Sequence, residues 1–277
     1  SALAWLPYRE LAVIEMARAS GLTLLPEGAR DPGFATSLGT GELMRRALDL
    51  GAKTLMVGIG GSATNDGGIG MASALGMRFL DAEARPVSPN GAGLAALARI
   101  DSSGLDSRLA RTSILVACDV NNPLTGPRGA SIIYGPQKGA SPTQVAHLDA
   151  GLSLLADLVE GREGSIHGRL RDQQGAGAAG GLGFGLRAFC GAQLRPGAEL
   201  VLDLLDFDDR LQGADLVLTA EGRLDDQTLS GKAPAQVAAR ARRFGIPCIA
   251  IAGGLGAGFD RLALVGIRDA VSLCPAL

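Results

Sequence analysis

Hydrophobic positions along the chain fall into short continuous runs that alternate with amphipathic stretches. Residues 53–61, KTLMVGIGG, are mostly apolar and close on glycines, a pattern typical of a strand buried on both faces. Residues 41–50 before this run predict a helix, with Thr40 as its N-cap and Gly51 just after its end. Residues 10–21, ELAVIEMARASG, also predict a helix, because their apolar positions recur at helical spacing.

The same alternation returns near the end of the sequence. Residues 214–222, ADLVLTAEG, and residues 246–254, IPCIAIAGG, each predict a short buried strand, and we expect the first of these to end at Thr219. Residues 232–245, KAPAQVAARARRFG, lie between them and predict a helix. Strands that alternate with helices in this way are typical of an α/β fold with a parallel sheet.

Residues 77–191 differ from both ends of the chain, because short β-rich pieces such as SILVACDV are mixed with longer helices and loops. One helix is predicted to begin after Ser141, which forms a capping box with the residues that follow it. We expect residues 77–191 to form a second α/β domain. It would be inserted into a first domain that comprises residues 1–76 and 192–277.

Composition narrows the class of protein. The 277 residues are 47% hydrophobic and 19% charged, with a net charge of −2, which is ordinary for a globular enzyme and argues against a basic surface for nucleic acids or membranes. Two histidines and four cysteines without a CxxC pair offer few zinc ligands. Cys118 and Cys248 lie in apolar runs, which indicates buried thiols in a reducing compartment. Since no signal peptide or long apolar span is recognisable, we expect a cytoplasmic protein.

Glycines gather between the apolar runs, and one cluster follows the strand predicted at residues 53–61. This stretch, GIGGSATNDGGIG at residues 58–70, combines backbone N–H groups, hydroxyls and a carboxylate before a predicted helix, as anion sites often do. It lacks the Lys-Ser/Thr pair of a P-loop. A plain tight turn is an alternative, and so is a dinucleotide fingerprint, which Gly58, Gly60 and Ala63 fit. The candidate ligand groups of this stretch are Gly60, Gly61, Ser62, Thr64, Asn65 and Asp66.

Two more polar stretches accompany β-rich runs. CDVNNPLTG, residues 118–126, places Asp119 where a strand is predicted to end, so its carboxylate is a candidate for holding Mg²⁺ or accepting a hydroxyl proton. An Asx turn before the proline explains Asn122 equally well. YGPQKGAS, residues 134–141, holds Lys138 between prolines and glycines, which suits a phosphate or a carboxylate. An ordinary surface lysine is the alternative.

The densest charged stretch is TAEGRLDDQTLSGKAP, residues 219–234. We expect Glu221, Arg223, Asp225 and Lys232 in a loop after the preceding strand. Arg223 is suited to clamping a carboxylate, and Lys232, at a predicted helix start, is suited to a phosphate. Acids and bases this dense beside glycines are typical of a magnesium–phosphate site, and a solvated loop with salt bridges is the alternative.

Together these stretches resemble the bacterial glycerate kinase family, in the class that forms 2-phosphoglycerate. The resemblance covers nearly the whole chain from about Ala12 onward. It rests on motifs that stand in the family's order and spacing: GELMRRALDLGAKTLMVGIGGSATNDGGIGMASALGMRFLD, NGAGL, CDVNNPLTGPRGAS, YGPQKGAS, GAGAAGGLGFG and TAEGRLDDQTLSGKAP. The resemblance implies transfer of the γ-phosphoryl group of ATP to a hydroxyl of D-glycerate, with Mg²⁺ bridging the phosphates. It also implies two α/β domains, a flavodoxin-like parallel sheet and a domain inserted into it, with the active site in the cleft between them.

The resemblance also suggests which residues carry the chemistry. The expected catalytic carboxylates are Asp66, Asp119 and Asp225, of which Asp119 and Asp225 are also the expected metal ligands. The expected substrate contacts are Asn65, Lys138, Glu221 and Arg223. The expected nucleotide contacts are Gly60, Gly61, Ser62, Thr64 and Lys232.

The ends of the sequence depart from the family pattern. Family members open with a strand and a loop of the type APDSFKGS, which has no counterpart here, and neither has the family's last helix. We therefore expect either a fragment of a larger polypeptide or a truncated homologue.

Other interpretations of the function stay open. The alternatives to a kinase are a non-catalytic module that binds a nucleotide or glycerate, and an NAD-dependent oxidoreductase, for which Asp81 or Glu83 has the required acidic spacing. The oxidoreductase leaves the other motifs unexplained. The expected partners are D-glycerate and ATP, with no nucleic acid and no membrane, and a homodimer is a further expectation.

Overall fold

A computed structural model of the protein describes residues 3–161, 169–229 and 232–274. The chain divides into two compact units, Ser1–Arg195 and Pro196–Leu277, which we call the first and the second unit. Each unit has a hydrophobic core of its own. Both are α/β in character, as the alternation of strands and helices in the sequence predicts.

The first unit contains seven strands within the described residues: β1 (Leu3–Leu6), β2 (Leu11–Glu15), β3 (Thr54–Gly58), β4 (Arg78–Leu80), β5 (Arg99–Asp101), β6 (Ser113–Ala117) and β7 (Gln193–Arg195). Five of them form one sheet in the order β1-β2-β3-β6-β7. β1 is antiparallel to β2, and the other neighbours in this sheet are parallel. The carboxyl ends of β2, β3 and β6 therefore meet at one edge, where open α/β sheets place their ligands.

Helices and short turns connect these strands. The α-helices of the first unit are α1 (Ala17–Ser20), α2 (Leu38–Asp49), α3 (Ile69–Ala74), α4 (Ala130–Tyr134), α5 (Pro142–Glu160) and α6 (Ala178–Cys190). The capping box predicted for α5 is confirmed at its N-cap, because the Ser141 hydroxyl accepts a hydrogen bond from the backbone N–H of Gln144. α2 also confirms a predicted helix. Its N-cap is Ser37, whereas Thr40, the N-cap expected from the sequence, lies buried within the first turn.

The second unit contains a smaller sheet. Its elements are α7 (Gly197–Leu204), α8 (Phe207–Leu211), β8 (Val217–Leu224), α9 (Asp226–Leu229), α10 (Ala233–Arg243), β9 (Cys248–Leu255) and β10 (Ile267–Ser272). The three strands are parallel and ordered β10-β9-β8. Alanines of α10, with Ala238 and Ala241 fully buried, contribute to the core beneath this sheet.

The prediction of a helix over residues 10–21 is wrong for most of that segment. Leu11–Glu15 form β2, in which Ala12 and Ile14 are fully buried, and only Ala17–Ser20 are helical. The segment is short enough that alternating and helical spacings both fit its apolar residues. Parallel pairing with β3 decides between them, because it satisfies the backbone groups of the segment inside the sheet.

The structure also divides the chain differently from the expected domains. β6 belongs to the range 77–191, which was expected to form a separate inserted domain, yet it pairs in parallel with β3 within the five-stranded sheet. The two units separate at residues 195 and 196, so residues 1–76 and 77–191 share one unit. The change of composition after residue 76 therefore does not mark the end of the five-stranded sheet, because β6 continues that sheet. Within the described ranges, no helix is both long and apolar enough to cross a membrane.

Candidate functional site

A cavity of about 310 Å³ opens in the first unit, beside the carboxyl ends of β3 and β6. Its lining residues come mainly from the ends of these two strands and the segments after them, from α4 and the turn that follows it, and from the start of α6, with Leu22 as a further contact. Among them are five residues that the sequence singled out: Gly60, Gly61, Ser62, Asp119 and Lys138. We call this space the Lys138 cavity.

Lys138 is the most unusual residue of the wall, because its side chain is almost completely buried. It lies at the end of a short 3-10 turn, Pro136–Lys138, with only 3% of its surface exposed. Its Nζ donates hydrogen bonds to Ser62 Oγ and to the Thr64 carbonyl oxygen, both at 2.7 Å. Neither acceptor carries a charge, and in the described part of the chain no carboxylate lies within ion-pair distance of Nζ.

The electrostatics of Lys138 follow from that environment. Burial lowers the pKa of Lys138 to about 7, and the negative charge of Asp66 acts in the opposite direction. The group is therefore close to half protonated at neutral pH, and an anion that entered the cavity would favour its charged form. The alternative of an ordinary surface lysine does not fit this burial.

Asp66 lies behind the cavity and does not line it. Its carboxylate is fully buried and accepts four hydrogen bonds, from the N–H and hydroxyl of Ser37 and from the N–H groups of Gly68 and Gly70. Burial raises the pKa of Asp66, and the hydrogen bonds that it accepts oppose that rise. Backbone groups that the sequence suggested for an external anion are thus occupied by a carboxylate of the protein itself.

Thr64 and Asn65 are also fully buried in this turn. Asn65 Nδ2 donates to Ser131 Oγ at 2.9 Å, while Asn65 Oδ1 is buried and has no hydrogen-bond partner among the described residues. The Thr64 carbonyl oxygen accepts a hydrogen bond from Lys138, and the Thr64 hydroxyl donates to the Ala179 carbonyl oxygen at 3.5 Å. The structure therefore places both side chains behind the wall, in the packing of the turn.

The glycine-rich run that begins at Gly175 forms another part of the wall. Ala178 and Ala179 line the cavity, and Ala179, Gly180 and Gly181 interrupt α6 with left-handed backbone angles. A β-carbon on Gly180 would lie 1.9 Å from the Thr64 carbonyl oxygen, so the two glycine-rich segments cross at backbone contact. Only glycine allows both this φ of 68° and this approach.

Asp119 lines the cavity just beyond β6 and is exposed to solvent. Its neighbour Asn122 has a different role, because its side chain donates to the Arg128 carbonyl and accepts a hydrogen bond from the Tyr134 hydroxyl. Asn122 therefore holds the loop in shape. Tyr134 and Gln137 line the cavity as well. They belong to the YGPQKGAS stretch, which sequence reasoning considered only for its lysine.

In the second unit the charged stretch begins on a strand. β8 continues to Leu224, since it pairs with β9 as far as Leu224 and Leu255, so the prediction that the strand ends at Thr219 is wrong. Glu221 and Arg223 are consequently strand residues, and their spacing of two puts both side chains on the same face. We call Glu221, Arg223, Asp225 and Lys232 the β8 end.

The charges of the β8 end pair with one another at long distances. Lys232 Nζ lies 3.5 Å from Glu221 Oε1, and Arg223 Nε lies 3.9 Å from Asp225 Oδ2. The Arg223 side chain is 70% exposed. Glu221 Oε2 is buried and, among the described residues, has no hydrogen-bond partner. Glu221 Oε2 therefore keeps an unused acceptor for a ligand or a cation, whereas both oxygens of Asp66 already accept hydrogen bonds.

No group of three or more His, Cys, Asp or Glu side chains within the described residues is arranged to hold a metal ion. Magnesium in kinases is commonly held by one or two carboxylates together with substrate phosphates. Glu221, with its orphaned oxygen, and Asp225 are the candidate carboxylates in the second unit, and Asp119 is the candidate on the cavity wall of the first.

Comparison with known proteins agrees with the resemblance noted in the sequence. Residues 1–277 match the glycerate kinase family. A glycerate kinase from Bacillus subtilis is 50% identical over 95% of this chain and 68% of its own length, and the glycerate 2-kinase of Escherichia coli is 49% identical over 88% of this chain and 63% of its own. The crystal structure described as glycerate kinase 2 from Salmonella typhimurium LT2 superposes with a TM-score of 0.84 at 51% identity, over 95% of this chain and 68% of that one. On this similarity of sequence and fold, the chain belongs to the glycerate kinase family.

Proposed function

We propose that this chain is a glycerate kinase that transfers the γ-phosphoryl group of ATP to the 2-hydroxyl of D-glycerate. The names of its relatives support the activity, and the Escherichia coli relative, a glycerate 2-kinase, supports the position of transfer. The observation that carries the proposal is the buried ammonium group of Lys138 on the wall of a small cavity. A buried lysine without a carboxylate partner is suited to an anion such as glycerate, because the anion supplies the negative charge that the ammonium form otherwise lacks.

We assign the carboxylate of glycerate to Lys138 and not to Arg223. Lys138 and the Ser62 hydroxyl lie together on the cavity wall, and 310 Å³ is at the small end of ligand pockets, as a three-carbon acid requires. Arg223 is largely exposed, so water weakens any charge interaction that it makes with a substrate. A hydroxyl of glycerate held in this cavity would also come near Asp119, a candidate for accepting its proton.

We assign the phosphate groups to the β8 end. Arg223 and Lys232 supply positive charge for the phosphate oxygens, and phosphoryl transfer depends mainly on such charge neutralisation and on alignment of the reacting atoms. Glu221 and Asp225 would hold Mg²⁺, which neutralises charge on the phosphates when it is bound. In this assignment the protein positions the substrates, the glycerate oxygen forms the new bond to phosphorus, and ADP leaves.

The direct test is incubation with D-glycerate and Mg-ATP, followed by addition of enolase without a phosphoglycerate mutase. Because enolase dehydrates 2-phosphoglycerate directly, we expect immediate formation of phosphoenolpyruvate. The Lys138→Met variant, assayed in parallel, should need a far higher glycerate concentration to reach the same rate. Formation of ADP and phosphoglycerate without phosphoenolpyruvate would move the transfer to the 3-hydroxyl, and absence of ADP formation would contradict the proposed activity.

The two competing functions have distinct outcomes. A non-catalytic module would bind ATP or glycerate in calorimetry while forming no ADP. An NAD-dependent oxidoreductase would use the N–H groups of the 58–70 turn for a pyrophosphate, yet Gly68 and Gly70 already donate to Asp66. This occupancy, with the family membership, favours the kinase.

Cytoplasmic location and a homodimer stay predictions. Fractionation of the native host tests the first, and light scattering of the purified chain tests the second.

A further inference from the structure

The Lys138 cavity has a property that bears on how it binds an anion. Lys138 reaches the wall of the cavity with 3% of its surface exposed, and the two atoms that it contacts, Ser62 Oγ and the Thr64 carbonyl oxygen, are neutral. An ammonium group has three N–H donors, and these contacts use two of them. A charged Lys138 therefore has one N–H left for an acceptor in the cavity, and an anionic oxygen would be the strongest such acceptor.

Among the described residues, no carboxylate is paired with Lys138 in place of such a ligand. Asp66 influences Lys138 only at a distance, because its oxygens are engaged by Ser37, Gly68 and Gly70. Titratable and charged groups on the segments around Lys138 include Arg30, Asp66, Cys118, Asp119 and Tyr134, and α6 carries Arg187 and Cys190 farther along. In the described chain none of these forms an ion pair with the lysine.

We propose that the anionic group of the substrate enters this cavity together with one proton, which Lys138 Nζ takes up from solvent as the substrate binds. The amine becomes an ammonium group, its third N–H turns to the bound oxygen, and no other bond changes. Since burial holds the pKa of Lys138 at about 7, most molecules lack this proton slightly above neutral pH. The proposal rests on the assignment of the glycerate carboxylate to Lys138 and adds its proton linkage.

The linkage has a measurable sign. Above the pKa of the free lysine, each unit of pH should weaken binding of D-glycerate by about tenfold, because the competent, charged form becomes rarer by that factor. Below that pKa the affinity should be independent of pH. A surface lysine would show no such dependence until far higher pH.

Titration calorimetry of the 277-residue chain with D-glycerate tests the proposal directly. At about pH 8, in Tris, Tricine and HEPES, whose ionisation enthalpies differ, we expect uptake of close to one proton per bound ligand. Lys138→Met should weaken binding about ten- to a hundredfold and abolish the uptake. Lys138→Arg keeps a permanent charge, so it should bind without proton uptake and without the dependence on pH.

Two further measurements separate the possible failures. If D-glycerate binds at about pH 8 without proton uptake, the linkage is overturned while the proposed function stands. If neither D-glycerate nor inorganic phosphate binds between about pH 6 and 9, the cavity is not an anion site. Both the proton linkage and the proposed binding of glycerate by Lys138 are then contradicted. Should the variants fail to fold, NMR titration of lysine ¹⁵Nζ in the unmodified chain decides the question. A midpoint for Lys138 near the ordinary value of about 10.4 would overturn the linkage by itself.

Discussion

The 58–70 turn of the first unit and the β8 end of the second unit share a sequence pattern but differ in structure. Both lie at the carboxyl end of a strand with parallel neighbours, and both combine glycines with charged residues. In the turn, Asp66 is fully buried and accepts four hydrogen bonds. At the β8 end, Arg223 is mostly exposed and its contact with Asp225 is 3.9 Å long.

This difference shows that charged residues in similar stretches of sequence can have two roles, one in stability and one in binding or catalysis. A saturated, buried carboxylate fixes backbone geometry, so its loss should appear in stability. A partly exposed charge contributes little to folding, and its loss should appear in binding or catalysis. The Lys138 cavity lies against the 58–70 turn, and its lysine combines both conditions because it is buried but incompletely satisfied.

The largest expected effect is that of Asp225→Asn on catalysis. The substitution keeps the shape of the side chain but removes the charge that we assign to Mg²⁺ or to the chemical step. We expect kcat to fall by roughly a hundred- to a thousandfold, the size seen when one transition-state charge contact is lost, while the melting temperature stays unchanged. Steady-state kinetics at saturating Mg²⁺ and a thermal melt provide the two readouts. Near-normal kcat would move the role to Asp119.

The next largest effect is expected at the crossing of the two glycine-rich segments. Gly180→Ala would place a β-carbon 1.9 Å from the Thr64 carbonyl oxygen at a positive φ, so backbone must shift. We expect a loss of about 3–4 kcal/mol in the free energy of unfolding, from strain and overpacking together. Gly191→Ala is the matched control, because Gly191 also has a positive φ but nothing within 4 Å of the added carbon. It should cost only about 1 kcal/mol. Equal losses in urea denaturation would show that the crossing adds nothing.

Asp66→Asn should give the opposite pattern from Asp225→Asn. Asp66 Oδ2 accepts three of the four hydrogen bonds and Oδ1 accepts the one from Gly68, so the NH₂ group of an asparagine would face at least the Gly68 N–H, a donor that then loses its acceptor. We expect a loss of about 2–3 kcal/mol in unfolding free energy, as when charged hydrogen bonds are broken in the interior. Any fall in kcat measured well below the melting temperature should be smaller than that of Asp225→Asn. A stable but inactive Asp66→Asn protein would return Asp66 to the catalytic residues.

The features of the fold and of the site that the sequence predicts are those that depend on residues close together in the chain. The runs at residues 54–58 and 113–117 predict strands because continuous apolar segments bounded by glycine or polar residues fit few other structures. The family motifs also name Ser62, Asp119 and Lys138, which the fold brings to one cavity. Residues 10–21 failed as a prediction because long-range pairing with β3 overrides their helical spacing.

The state of each charged side chain was beyond local reasoning. Asp66 is saturated because Ser37, 29 positions earlier, lies against it, and Lys138 is buried against Ser62, 76 positions away. Neither contact has a signature in the surrounding residues. The same residue types in similar glycine-rich stretches therefore became a buried structural carboxylate in one place and an accessible charged group in the other.

The smallest expected effect is the contribution of Lys138 to the pH dependence of the free energy of unfolding. Burial holds the pKa of Lys138 at about 7 in the folded protein, below the value of about 10.4 for a lysine in an unfolded chain. Between these two values the unfolded state binds a proton that the folded state lacks, so this lysine makes the free energy of unfolding rise with pH. Below about pH 7 the lysine is charged in both the folded and the unfolded state, and the full cost of burying the ammonium group is present.

The Lys138→Met variant lacks the group, so the stability of this variant relative to the unmodified chain should be greatest near pH 6.5 and should decline by about 1–3 kcal/mol towards pH 9.5. Urea denaturation at about pH 6.5, 8 and 9.5 measures the difference, and Lys53→Met, at an exposed lysine of the same unit, should show none. Parallel curves for the unmodified chain and Lys138→Met would mean that Lys138 keeps its proton in the folded state, and the contrast between a saturated Asp66 and an unsatisfied Lys138 would fail.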